Sequence, residues 1–144
     1  MTIMFTPDVA QVREFFCTAY SKSRQGQTLA PLEAMAADWI SQHPEYHAVL
    51  ENHDAARELQ PSEGQGNPFL HLAMHLSISE QCSIDQPPGI REGTQALAAR
   101  LGSLHEAHHE VMECLGRTLW ESQRDGVAPD GLAYVECVQR RARR

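Results

Sequence analysis

Few of the usual signposts of function are present in this 144-residue sequence. Its four cysteines, Cys17, Cys82, Cys114 and Cys137, are scattered and form no C-x-x-C pair. That spacing excludes a disulfide framework or a zinc ribbon. The charge-free stretch from Gln65 to Ser79 is too short to span a bilayer and carries two histidines. Met1-Thr2-Ile3-Met4-Phe5 lacks the basic start and apolar run of a secretory signal. No membrane association is expected, and the setting reads as soluble, reduced and cytoplasmic. There is no G-x-S-x-G elbow, phosphate loop or dinucleotide fingerprint. Alternating strand patterns, internal repeats and low-complexity tracts are missing too.

The bulk composition is ordinary, with 42% hydrophobic and 22% charged residues. A net charge of −7 argues against nucleic acid, whose binding needs a basic surface to displace counterions. Charge is segregated, however. Arg140, Arg141, Arg143 and Arg144 supply four positive charges at the end of the chain, so the remainder carries −11. Cations at a helix C-terminus complement its dipole, which makes residues 139–144 a basic, solvated tail. The length fits a single domain spanning residues 1–144, large enough for its own core.

Proline and glycine punctuate a chain of helices. The first runs from a Thr6-Pro7-Asp8 cap to about Arg24, with Val12, Phe15, Phe16, Ala19 and Tyr20 on one face. A second opens at Pro31 and stops near His43-Pro44, and a short piece covers Glu45 to Glu58. After a polar loop from Gln60 to Gly66, Asn67-Pro68 starts a helix ending near Ser83. Asp85-Gln86-Pro87-Pro88-Gly89 connects it to a helix reaching Leu101. Ser103 caps the next, to about Arg124, and a last one follows Pro129-Asp130. The expected fold is all-α, a single-domain helical bundle of about six helices.

Two of these helices carry histidines at four-residue spacing, which puts side chains on one face. His71 and His75 occupy the first, and His105, His108 and His109 the second. On a helical wheel His71 and His75 fall between Leu70, Met74 and Ile78 on one side and Phe69, Leu72 and Leu76 on the other. His105, His108 and His109 lie within the arc of Leu104, Val111, Met112, Leu115, Leu119 and Trp120. All should point inward. An inward histidine alone is most simply a core residue with its nitrogens satisfied. Several together need an organised set of partners, because each unpartnered polar group costs about 1–3 kcal/mol. Imidazole is the commonest protein metal ligand, and a transition metal would supply that partner. The expected ligands are His71, His75, His105 and His109, with Glu113 as a carboxylate and His47 as a further candidate. His108 reads as packing or support, and His53 as surface. Zinc or iron suits the mixture best, although spacing alone does not choose the metal.

His105-Glu106-Ala107-His108-His109 also matches H-E-x-x-H, the zinc-protease motif. Its context opposes that reading. Ser103-Leu104-His105-Glu106 is a capping box, in which Glu106 reaches back to the N-cap amide. No strand is visible to flank a substrate cleft. Cys82 or Cys114 beside a histidine would make a nucleophilic pair, but a lone helical cysteine is more simply buried and inert.

Longer strings carry a resemblance. Asn67-Pro68-Phe69-Leu70-His71-Leu72-x-x-His75-Leu76 and Glu80-Gln81-x-Ser83-Ile84-Asp85-Gln86-Pro87-Pro88-Gly89-Ile90 resemble the family named domain of unknown function 1841. His105-Glu106-x-x-His109-x-x-Met112-Glu113-Cys114-Leu115 and His43-Pro44-Glu45-Tyr46-His47 are similar to its other signatures. The resemblance covers nearly the whole chain and implies a small cytoplasmic bacterial protein. It brings no catalytic residues with it. The residues themselves therefore support a transition-metal-binding helical domain, of which a metal-dependent enzyme is one form. The alternative is a metal-free interaction protein whose histidines form a buried hydrogen-bond network. Such a protein would meet a protein partner through the Asp85–Arg91 turn or through its acidic body and basic tail.

Overall fold

A computed structural model describes residues 9–51 and 68–144. The expected Thr6–Asp8 cap, the end of the third piece, the Gln60–Gly66 loop, Asn67 and His53 lie outside the described residues. Every regular element described is helical. In chain order these are α1 (Val9–Arg24), α2 (Pro31–Ser41), a 3-10 turn (Pro44–Tyr46), α3 (His47–Glu51), α4 (Pro68–Ile84), α5 (Ile90–Leu101), α6 (Leu104–Asp125) and α7 (Gly131–Ala142). The all-α expectation holds.

The punctuation works as its chemistry requires. Pro31 opens α2, where its missing N–H costs no hydrogen bond, and the Glu33 carboxylate accepts the Ala30 N–H at 2.9 Å. Asp130 accepts from the Ala133 N–H at 3.0 Å to start α7. Gly102 and Gly126 close α5 and α6 with φ of +76° and +67°, a left-handed conformation that side chains resist. The chain's contacts gather into two compact units, residues 1–77 and 78–144, with the division inside α4.

The first unit is built on the apolar faces of α1 and α2. Phe16, Cys17 and Tyr20 of α1 meet Ala36, Trp39 and Ile40 of α2, and Leu50, Leu72 and Leu76 complete the core. Leu70, expected inward, is instead exposed. It begins a helix whose first turn buries Pro68 and Phe69. The Tyr20 hydroxyl donates to Glu51 at 2.8 Å, and Arg24 donates to both.

In the second unit α5, α6 and α7 pack around Ile90, Leu97, Val111 and Val138. Gly93 lies mid-helix because a Cβ there would stand 3.2 Å from Val138 Cγ1. The Tyr134 hydroxyl donates to Gln81 Oε1 at 2.6 Å. The Asp85 carboxylate accepts the N–H groups of Gly89 and Arg91, both at 3.1 Å, while the Arg91 guanidinium donates to the carbonyls of Cys82 and Ser83. The connector thus ties itself down. In the basic tail Arg141 is bound to Glu110 and Glu113 of α6. Part of that tail is thus committed within the fold.

Cys114 on α6 and Cys137 on α7 form a disulfide, with Cα atoms 5.9 Å apart. This corrects the expectation of four reduced cysteines. Neighbouring helices bring together two residues 23 apart in sequence, a proximity that spacing rules do not register. Cys114 is therefore no nucleophile. Burial raises the Cys82 thiol pKa, so it stays protonated and poorly nucleophilic.

The capping box at α6 is only half formed. Ser103 Oγ accepts the Glu106 N–H at 3.1 Å, but the Ser103 N–H donates to the Ala98 carbonyl at 3.2 Å. The end of α5 has taken the donor that Glu106 was expected to hold. Ser103→Ala should therefore cost about 1 kcal/mol, while Glu106→Gln stays within about 0.5 kcal/mol of the parent. Urea denaturation of both variants checks this, and equal losses would restore the complete box.

Candidate metal centre

Three histidines of the first unit converge. His43, immediately after α2, and His71 and His75 on α4 each offer one ring nitrogen, and those nitrogens lie within 4.8 Å of one another. His75 is 0% exposed and His43 3%, with His71 half-buried. The group is a buried histidine cluster that could hold a metal ion or form a hydrogen-bond network. The His71 and His75 Nε2 atoms are 3.1 Å apart. With metal–nitrogen bonds of about 2.1 Å, that separation subtends about 95–100°, between octahedral and tetrahedral angles. One turn of α4 thus presents two imidazoles at a chelating distance.

Trp39 sets two of the three rings. Its indole stacks on the His75 imidazole, with centroids 4.0 Å apart and planes at 17°. Its carbonyl lies 2.7 Å from His43 Nδ1. A carbonyl only accepts, so Nδ1 carries the proton and the ring's lone pair is at Nε2. A backbone partner on the far nitrogen is how metal-ligating histidines are commonly oriented. Tyr46 stacks parallel on the other side of His43, with centroids 5.2 Å apart, and its ring stands edge-on to His71 at 6.2 Å. Burial raises the Tyr46 pKa, so the phenol is neutral.

Sequence periodicity identified His71 and His75 and missed His43. The turn after α2 has no helical repeat to extrapolate. The available signal was the spacing Trp39 to His43, which lets a histidine just past a helix end reach back to a carbonyl four residues earlier. His47 is placed differently from its expected role. Its Nε2 donates to the Ile40 carbonyl at 3.0 Å, and its ring tilts against Tyr20.

In the second unit His105 and His109 lie one turn apart on α6, with centroids 4.6 Å apart and a nitrogen each within 4.8 Å of the other. His108 is buried at 2% exposure, in keeping with packing. Burial, reinforced by His105 and His109, lowers its pKa to about 3 and keeps it neutral. Glu113 faces outward, and its carboxylate is engaged by Arg141. Glu106 is exposed at the start of α6, which removes the general base that a protease reading of H-E-x-x-H would need.

Fold and site together define a helical protein with a buried, aromatic-walled imidazole cluster. The model of the family described as Domain of unknown function (DUF1841) matches residues 8–140, and the chain belongs to that family. Neither a curated protein nor a solved structure matches it. No helix among the described residues is long and apolar enough to cross a membrane.

Proposed function

We propose that the protein binds one transition-metal ion through imidazole nitrogens. His43, His71 and His75, all of the first unit, would supply those nitrogens. The observation that carries the reading is the 3.1 Å approach of the His71 and His75 Nε2 atoms, beside a His43 whose Nδ1 is held by a carbonyl. Unlike charges or solvated side chains, buried imidazoles brought this close need a shared proton or a shared ion. His105 and His109 repeat the four-residue spacing on α6 and would form a second imidazole pair within the second unit. Glu113 and His47 are left out because each already has a partner of its own kind, a guanidinium and a carbonyl.

An imidazole-only set suits zinc, iron, nickel or copper better than the hard cations magnesium and calcium. A bound ion of this kind supplies Lewis acidity and an activated water when a coordination position stays open. Within the chain, His71 and His75 would chelate, Trp39 would fix ring orientation, and the aromatic walls would exclude water.

Elemental analysis of protein purified without a histidine tag tests the reading. About one equivalent of a transition metal is expected, lost on chelation and regained on reconstitution. Less than about a tenth of an equivalent, with no uptake on reconstitution, would sink it. The second reading, a metal-free network, also has an observation behind it, since 3.1 Å is a hydrogen-bond distance. Retention of the full folding stability in chelator, with no metal found, would favour that network.

A further inference from the structure

We propose that this metal site takes a small anion, a carboxylate or an inorganic oxyanion, directly on the ion. The inference rests on the metal reading and extends it to the class of ligand. Each proposed donor is an imidazole, which ligates in its neutral form. A divalent ion held this way keeps its whole double charge. That charge would sit beside His75 and His43, at 0% and 3% exposure, whose rings are stacked on Trp39 and Tyr46. Burying an uncompensated charge among apolar walls is costly, and Coulomb attraction is strong there for the same reason.

Among the described residues of the first unit, no carboxylate joins the histidine cluster. Glu51 is held by Arg24 and the Tyr20 hydroxyl, Glu33 by Lys22, and Glu14 and Asp38 are exposed. Glu45, next to Tyr46 in sequence, is exposed. Among the described residues nothing else supplies that charge, and an anion from solution would. Coordination leaves room for it. Three imidazoles leave a tetrahedral ion one position. The overall charge of −7 does not prevent this, because exposed charges are screened beyond about 8 Å at physiological salt.

Cobalt(II)-loaded full-length protein, titrated with azide, formate and imidazole while its visible spectrum is recorded, provides the test. Azide and formate should each shift the cobalt bands saturably, at one ligand per ion. Azide should bind at least ten times more tightly than imidazole, a neutral ligand. His71→Asp places a carboxylate in the shell and should weaken azide binding at least tenfold while cobalt is retained. Stoichiometric cobalt with no spectral response to either anion overturns the anion inference alone. So does imidazole binding as tightly as azide, a comparison on the parent protein that stands even where the variant misfolds. Failure of the parent to take up cobalt overturns the metal reading, and the anion inference falls with it.

Discussion

His71→Ala is expected to weaken metal binding at least 100-fold, measured by competition against a chromophoric chelator. His71 is the better choice than His75 because it is half-buried, whereas His75 is enclosed beneath the Trp39 indole. Loss of either removes one arm of the 3.1 Å chelate, and the remaining imidazole binds without the advantage of a paired neighbour. Replacing an outer partner of a metal ligand already costs 10–100-fold, and a ligand itself should exceed that. His47→Gln and Glu113→Gln supply the contrast. Their polar atoms are engaged by Ile40 and Arg141, so affinity should stay within about twofold. An unchanged affinity in His71→Ala, or a large loss in Glu113→Gln, would require a different ligand set.

The second large effect concerns α6 and α7. Reducing the Cys114–Cys137 disulfide should destabilise the second unit by about 3 kcal/mol, the loop-entropy value for a closure of this length. In a unit of this size that corresponds to a fall in melting temperature of roughly 10–20 °C. Denaturation with and without a reductant measures it. The double variant Cys114→Ser, Cys137→Ser should lose the same amount and no longer respond to the reductant. Cys17 and Cys82 act as controls, being unpaired, and Cys17 is buried in the first unit's core. A parent protein indifferent to reduction would mean the bridge contributes nothing to stability.

Helix positions were legible because proline, glycine and capping residues mark ends by local chemistry, which a sequence states directly. Helix faces were legible only in relative terms. The wheel placed Leu104 and Trp120 with Val111 and Leu115, yet they are 52% and 59% exposed. α6 has 22 residues, against 12 each for α5 and α7. At 1.5 Å per residue it is roughly 15 Å longer than either neighbour, and because only two residues join it to α5 at its start, the excess length over α5 falls at its C-terminal end. Trp120 lies toward that end, whereas Leu104 is the first residue of the helix. The site divided along the same line. His71 and His75 were found by spacing within one helix, whereas His43 depends on how a turn folds back, and the disulfide on two helices meeting. Glu113 looked like a ligand on its wheel because Arg141, 28 residues later, was not yet in place.

The indole over His75 gives the protein an optical probe of its own. An open-shell ion such as copper(II) or cobalt(II) ligated by that imidazole would lie within a few ångströms of the Trp39 ring, close enough to quench its emission efficiently. Trp120, exposed and covered on one face by the Arg124 guanidinium 4.8 Å away, belongs to the second unit and emits in contact with water. Occupancy can therefore be followed without labels. The buried, blue-shifted component should dim as the ion arrives, while Trp39→Phe leaves a single red-shifted emission that no longer reports filling of the site.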